Sequence, residues 1–327
     1  MQSHAAGVAT WATRPILRLL SSYENYLREK DDTEEHVRTT VRVILRCVVS
    51  CKLESEADLD RVDRIRAWLH DTRKSEGTSA RTLNYRAGAM RSFAAWLVRE
   101  GVLLRNPLLG LQRANERGDR RRKRRPLTDD EMVRLLTCVS EARNHHGLSG
   151  RERVMLYTTA VLTGLRVREL AHLTRHDLEL ACDPAILRVR ASINKRRRED
   201  HLPINGKLAG QLRTWLVGRG FGRLWPGRWW DRSAVMFRRD LEATGIRYLD
   251  EQGRVADFHA LRHTFLTNLT RAGVHPRIAQ ALARHSTIVL TMAVYTHVDM
   301  KETAKAVESI ECPLPMAGRV GGDGFPQ

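Results

Sequence analysis

Residues 258–298 contain several side chains that suit chemistry on a phosphate group. His259 and Arg262 are three residues apart, so on a helix they would project from the same face. His285 follows within a His-Ser pair, and Tyr295 comes ten residues after it. Guanidinium groups bind phosphate oxygens, imidazoles transfer protons and a phenol can act as a nucleophile. This set of residue types therefore favours a reaction at phosphorus.

Two further basic side chains lie earlier in the chain. Arg166 follows Gly164, which permits a sharp turn, and the carboxylate of Glu169 lies three residues on, where it can hold a guanidinium or a neighbouring histidine. Lys195 lies in a charged turn between two short alternating runs. A lysine ammonium can release a proton, whereas a guanidinium does not, so Lys195 suits an acid role better than the three arginines that follow it.

Each of these residues, taken alone, has an ordinary structural explanation. An arginine after a glycine is most often a surface residue, and a lysine in a turn is most often solvated. A stacked histidine–arginine pair, a hydrogen-bonded core histidine and a core tyrosine would explain the others. The occurrence of all six in one chain, each within its own local pattern, favours a shared function.

The local patterns resemble the signature motifs of the tyrosine recombinases, the phage integrase family. The motifs are Thr163-Gly164-Leu165-Arg166-Val167-Arg168-Glu169-Leu170, His259-Ala260-Leu261-Arg262-His263, Leu282-Ala283-Arg284-His285-Ser286 and Tyr295-Thr296-His297. The family also has a catalytic lysine on a β-turn, eight residues before a proline that is Pro203 here, and this offset selects Lys195. The resemblance implies six catalytic residues: Arg166, Lys195, His259, Arg262, His285 and Tyr295.

The resemblance also implies a mechanism. Tyr295 would attack the scissile phosphorus to form a 3′-phosphotyrosine, while Arg166 and Arg262 stabilise the charge on the phosphate oxygens. His259 would accept the phenolic proton and Lys195 would protonate the departing 5′ oxygen.

His285 would hydrogen-bond the phosphate. A 5′-hydroxyl of a partner strand then replaces the tyrosine, so the exchange needs no ATP. The sequence has no carboxylate cluster at metal-ligand spacing, and we expect neither a metal ion nor a cofactor in the reaction.

Two features depart from the family pattern. Arg284 stands where the related motif most often has glycine, which matters if the backbone needs a positive φ there. If the backbone does not, Arg284 would add another phosphate donor. The ten-residue interval between His285 and Tyr295 is near the upper end for the family.

Composition predicts a polyanionic partner. The chain has 327 residues and a formal net charge of +18, which favours nucleic acid first and a membrane surface second. A ribosomal or histone-like protein would have a similar charge, so the charge indicates a class of partner and no activity. No run approaches the ~20 apolar residues of a membrane span, and no signal peptide is apparent, so we expect a cytoplasmic protein without a membrane partner, which would associate with the nucleoid if its source is bacterial.

Chain length favours two domains, and helical periodicity predicts a mainly α protein. Together with the resemblance, the expected organisation is a loose tail (1–13), a four-helix SAM-like core-binding bundle (14–111), a basic linker (112–126), an α+β catalytic domain of the DNA breaking-rejoining type with a small antiparallel sheet (127–310) and a C-terminal tail (311–327). Residues 186–190 and 201–204 are expected to form a β-hairpin. The linker is expected to be solvated and to cross DNA, although a run of basic residues could also be a nuclear-localisation patch.

The expected partner is double-stranded DNA with specific target sites. By resemblance, a homotetramer would join two such sites, with a helix at 300–310 docked on a neighbouring subunit and accessory proteins setting direction. A short N-terminal region fits a Xer-like or mobile-element recombinase that integrates or excises DNA. The alternatives are a non-catalytic DNA-binding relative and an enzyme that relaxes DNA as type IB topoisomerases do.

Overall fold

The computed structural model describes residues 15–119, 121–194 and 196–295. The chain divides into two compact units, Met1–Arg121 and Arg122–Gln327. Each unit has its own hydrophobic core.

The first unit is a helical bundle. Its helices are α1 (Ile16–Glu29), α2 (Glu34–Ser50), α3 (Val62–Ser75) and α4 (Ala80–Arg99), with short 3-10 helices at Glu56–Asp60 and Pro107–Gly110. The hydroxyls of Thr33 and Ser79 accept hydrogen bonds from backbone N–H groups in the first turns of α2 and α4, as N-caps do. Apolar residues at spacings of three and four on each helix form the buried core around Phe93.

The second unit contains the remaining helices and the sheet. Its helices are α5 (Asp129–Ser140), α6 (Gly150–Thr163), α7 (Val167–His172), α8 (Gly206–Trp215), α9 (Ser233–Ala243), α10 (Ala260–Arg271), α11 (Pro276–Ala283) and α12 (Ile288–Tyr295). Short 3-10 helices lie at Arg175–Asp177 and Trp229–Arg232. α5 begins with a capping box in which the Thr128 hydroxyl accepts from the Glu131 N–H and the Glu131 carboxylate accepts from the Thr128 N–H.

The sheet is small and antiparallel. Strands β1 (Leu178–Glu179), β2 (Ile186–Val189) and β3 (Asp200–Pro203) lie in the order β1-β2-β3, and Leu187 pairs with Leu202. The predicted hairpin is therefore confirmed, with β3 beginning one residue early. β1 was not predicted, because a two-residue strand shows no alternation in sequence.

The expectation of a wholly solvated linker is wrong at its carboxyl-terminal end. Arg125 is only 7% exposed, and its guanidinium pairs with Glu131 and donates to the carbonyl of Arg247. Arg124 Nε lies 2.9 Å from both carboxylate oxygens of Asp257. Arg121, by contrast, is exposed and binds Asp119 in the first unit. Acceptors on Glu131, Arg247 and Asp257 in the second unit explain the difference.

Within the described parts of the chain, no helix is long and apolar enough to cross a membrane.

Candidate active site

The turn after α6 positions the first predicted arginine. α6 is followed by its C-cap Gly164, which has φ +62°, and a Cβ at this residue would lie 2.4 Å from the ring of Phe265. Glycine is thus required here by both conformation and space. Arg166 then forms the N-cap of α7, and its side chain leaves the helix.

Glu169 holds Arg166 from the first turn of α7. Its carboxylate accepts from the Arg166 N–H at 2.7 Å and from Arg166 Nη1 at 3.0 Å. Glu169 is 1% exposed, whereas a quarter of the Arg166 side chain remains exposed. The guanidinium is therefore oriented from inside the protein while part of it faces solvent.

Arg262 joins three segments of the site. Located on α10 and 4% exposed, it donates through Nη1 to the carbonyl of Gly164 and through Nη2 to the carbonyl of Ala283. Burial, followed by the positive charges of Arg166 and Arg284, lowers the pKa of Arg262 to about 9, so it stays protonated at neutral pH. Arg166 Nη2 also donates to the carbonyl of Arg284 at 3.3 Å. The two predicted arginines thus converge on the end of α11.

His285 follows directly and faces the same cluster. Its Nδ1 lies 2.9 Å from the hydroxyl oxygen of Thr291, a fully buried residue of α12. Burial, followed by the charges of Arg262 and Arg166, lowers the pKa of His285 to about 4. The imidazole is therefore neutral at physiological pH.

His259 lies immediately before α10, as its N-cap, in a helical backbone conformation. Phe258 packs against Tyr157 and Trp229 and so anchors the start of this helix in the core. Burial, followed by the charges of Arg124 and Arg262, lowers the pKa of His259 to about 4. The imidazole is therefore neutral at physiological pH, which is the protonation state that a proton acceptor needs.

The hydroxyl of Tyr295 has a main-chain partner. Tyr295 is half-buried at the end of α12, and its hydroxyl donates to the carbonyl of Val274 at 2.7 Å, in the turn between α10 and α11. The structure thus brings Arg166, Arg262 and His285 together, and His259 is close enough for Arg262 to affect its pKa. The phenol of Tyr295 is hydrogen-bonded to a main-chain carbonyl.

Lys195 and the predicted helix at 300–310 lie outside the described residues. The turn next to Lys195 is held by Asn194, whose side-chain amide donates to the carbonyl of Arg198 and to Asp200, both at 2.7 Å.

Three contributors escaped prediction. Thr291, Arg124 and Asp257 contact or influence the predicted histidines, but a threonine in an apolar helix and one arginine in a run of six basic residues carry no distinguishing signal. Among the described residues, no group of three His, Cys, Asp or Glu side chains could hold a metal ion. The cluster instead contains three guanidiniums and one carboxylate, Glu169, an excess of positive charge that suits an anion such as a phosphodiester.

The chain also resembles known proteins in sequence. The profile of the Phage integrase family matches residues 125–302, more than half of the chain. Tyrosine recombinase XerC of Azotobacter vinelandii is 31% identical over 87% of this chain and 93% of its own length, and XerC of Pseudomonas fluorescens is 29% identical over 94% and 99%. The chain belongs to the phage integrase family.

Solved structures share the fold at low identity. The Tn1549 transposon integrase in complex with transposon right end DNA superimposes with a TM-score of 0.66, at 18% identity over 89% of this chain and 98% of the other. A lambda integrase dimer bound to a COC′ core site gives 0.66 at 18% identity, over 90% and 81%. The predicted fold class, mainly α with a small antiparallel sheet, is confirmed. The predicted enzyme class, a tyrosine-type DNA strand transferase acting in site-specific recombination, is also confirmed.

Proposed function

We propose that Tyr295 is the nucleophile of this recombinase and forms a 3′-phosphotyrosine with its target DNA. The convergence of Arg166 and Arg262 beside His285 is the observation that carries this proposal. Two planar guanidinium forks can bind both non-bridging oxygens and stabilise the charge that develops in the transition state. Tyr295 would first have to release the carbonyl of Val274.

Proton transfer falls to the remaining residues. His259, neutral at physiological pH because its pKa is about 4, accepts the phenolic proton. His285 donates a hydrogen bond to a phosphate oxygen from the ring nitrogen that does not contact Thr291. Lys195 protonates the departing 5′ oxygen, since an ammonium can release a proton where the neighbouring arginines cannot.

The domain roles and the assembly belong to the same proposal. Residues 14–111 act as the core-binding domain and residues 127–310 as the catalytic domain, and the partner is double-stranded DNA with specific sites. A homotetramer joins two sites, with the segment at 300–310 docked on a neighbouring subunit, and accessory proteins set direction. The exposed Val289 and Leu290 of α12 support a contact between subunits. The cellular reaction is the integration or excision of a mobile element in the nucleoid, which the resemblance of fold to a transposon integrase supports.

Covalent capture tests this proposal and identifies the target DNA in the same experiment. The chain is incubated with lightly nicked genomic fragments, and DNA that stays attached after denaturation in detergent is sequenced. We expect one or a few sequences to be captured, and Tyr295→Phe to capture none while retaining DNA affinity. Tyr248→Phe, which removes only a 3.5 Å contact with Arg122, is the matched control and should capture normally.

Two results would contradict the proposal. Capture by the Tyr295→Phe variant would show that another residue attacks. Efficient relaxation of plasmids that lack every captured sequence would favour topoisomerase-like activity instead.

A further inference from the structure

Arg284 combines a strained backbone with a buried charge. It ends α11 with φ 53° and ψ 46°, a left-handed conformation that L-residues rarely adopt and that glycine adopts freely. The related motif most often has glycine at this position. Because glycine would fit the backbone better, the arginine side chain must contribute something that glycine cannot.

The side chain of Arg284 turns inward and pairs with Glu169. It is 1% exposed, and Nη2 lies 2.8 Å from Glu169 Oε2. Among the described residues, Nε and Nη1 of this guanidinium have no hydrogen-bond partner. The ion pair with Glu169 is therefore the main interaction that offsets the desolvation of the Arg284 guanidinium. Removing either partner would leave the other charge buried without a partner, which is costly in folding free energy.

The same carboxylate orients Arg166. Glu169 Oε2 accepts from the Arg166 N–H and from Arg284 Nη2, while Oε1 accepts from Arg166 Nη1. Arg166 Nη2 in turn donates to the main-chain carbonyl of Arg284. Arg284 thus contacts the Arg166 guanidinium directly through its backbone and indirectly through Glu169. Without its side chain, Glu169 would have Arg166 as its only guanidinium partner in this cluster and would draw that group inward.

We propose that Arg284 is a positioning residue of the recombination reaction, which fixes the Arg166 guanidinium toward the scissile phosphate by sharing Glu169 with it. This inference rests on the proposed function of Arg166. Arg284 also adds a positive charge beside Arg262 and His285, which strengthens the binding of a developing negative charge.

The test compares Arg284→Gly with the unaltered chain on the duplex that the unaltered chain captures best. We expect the glycine variant to form the covalent adduct at least about tenfold more slowly at saturating DNA, with a dissociation constant within about twofold. A second duplex carries a methylphosphonate at the cleaved position, which removes one negative charge. Here the defect should shrink, because less charge needs stabilising. A folding defect would lower the rates of adduct formation on the two duplexes by the same factor.

Further variants keep the comparison decisive. Should the glycine variant not fold, Arg284→Lys retains the charge and serves in the same two-substrate measurement, with a smaller defect expected. In a Glu169→Gln background, Arg284→Gly should slow adduct formation little further, because the carboxylate that Arg166 and Arg284 share is already absent.

A glycine variant that cleaves at the unaltered rate, or one that is equally impaired on both duplexes, overturns the inference. Failure of the unaltered chain to form any adduct would instead refute the proposed function.

Discussion

The carboxylate of Glu169 explains how two guanidiniums can lie close together inside this site. A single buried carboxylate accepts from the side chains of Arg166 and Arg284, and Arg262 relies on the main-chain carbonyls of Gly164 and Ala283. Buried charge is tolerated only when it is paired or hydrogen-bonded. Because the positive groups outnumber the carboxylate in this cluster, a bound phosphodiester would improve its charge balance. Binding energy and transition-state stabilisation therefore arise from the same arrangement.

Thr291 provides a residue-scale test of how His285 is oriented. Thr291→Val keeps the shape of the side chain but removes the hydroxyl that contacts His285 Nδ1 at 2.9 Å. We expect the rate of covalent adduct formation to fall about tenfold, because the imidazole loses the partner that sets its tautomer and direction. The measurement is the adduct rate at saturating DNA.

Thr270→Val is the matched control, since the hydroxyl of Thr270 donates only to the carbonyl of Leu266 within α10. Equal rates for the two valine variants would argue against a role for Thr291 in orienting His285.

The histidines also predict how stability depends on pH. The pKa values of His259 and His285 are both about 4 in the folded chain, against about 6.5 for an unperturbed histidine. A lowered folded pKa means that the unfolded chain takes up protons first as pH falls. The free energy of unfolding should therefore be largest above about pH 6.5 and decline toward about pH 4.

Urea unfolding at several pH values measures this decline. His259→Gln cannot titrate and should show a shallower decline over the same range. A free energy of unfolding that stays constant between these limits would contradict the environments seen for both imidazoles.

The resemblance of the motifs indicated which side chains would meet better than how they are held. Local patterns placed Arg166 and Arg262 near the starts of helices, but only the resemblance implied that the two side chains would converge. The hydrogen bond from Tyr295 to Val274 depends on how α12 packs, which spacing does not encode. The role of Arg284 could be inferred only once the sign of its φ angle was known. The sequence left open whether the backbone at this position has a positive φ.

At the scale of elements, the turn after α6 fixes the geometry of the site. Gly164→Ala would place a Cβ 2.4 Å from the Phe265 ring in a left-handed backbone conformation. We expect a loss of roughly 3 kcal/mol or more in the free energy of unfolding, from conformational strain plus overpacking. The adduct rate should fall as well, because the Gly164 carbonyl accepts from Arg262 and Arg166 follows two residues later.

Gly253→Ala isolates the conformational part of this effect. Gly253 has φ +69°, and a Cβ added to it would meet no atom within 4 Å. Its substitution by alanine should therefore lower the free energy of unfolding by only about 1 kcal/mol. Urea unfolding of both variants gives the difference. Equal losses in the free energy of unfolding for the two variants would mean that the Phe265 ring can move away from the new Cβ without destabilising the fold.

The elements themselves were largely predictable where periodicity extends over several turns. Helix caps such as Thr128 and the β-hairpin follow from residue types with known local preferences. The attachment of Arg124 and Arg125 was not predictable, because their partners Asp257 and Glu131 become neighbours only through the fold or a cap. α12 lacks a polar face, so its apolar run gave no helical period.

For the whole molecule, net charge and the division into two units lead to an expectation about DNA binding. The formal charge of +18 favours binding to a polyanion. Because Met1–Arg121 and Arg122–Gln327 have separate hydrophobic cores, we expect each unit to contact the duplex with its own basic residues. Affinity should then have additive phosphate contributions from both units.

Salt dependence measures those contributions. The logarithm of the association constant for duplex DNA should fall linearly with the logarithm of salt concentration, with a slope near −0.9 for each phosphate neutralised. We expect a fragment of residues 122–327, checked for folding by circular dichroism, to bind the captured duplex more weakly and with a shallower slope than the full chain. The shallower slope follows because phosphates bound by the first unit no longer release counterions. If the two slopes are equal, the first unit does not contact the backbone, and its proposed core-binding role is wrong even if Tyr295 still forms the adduct.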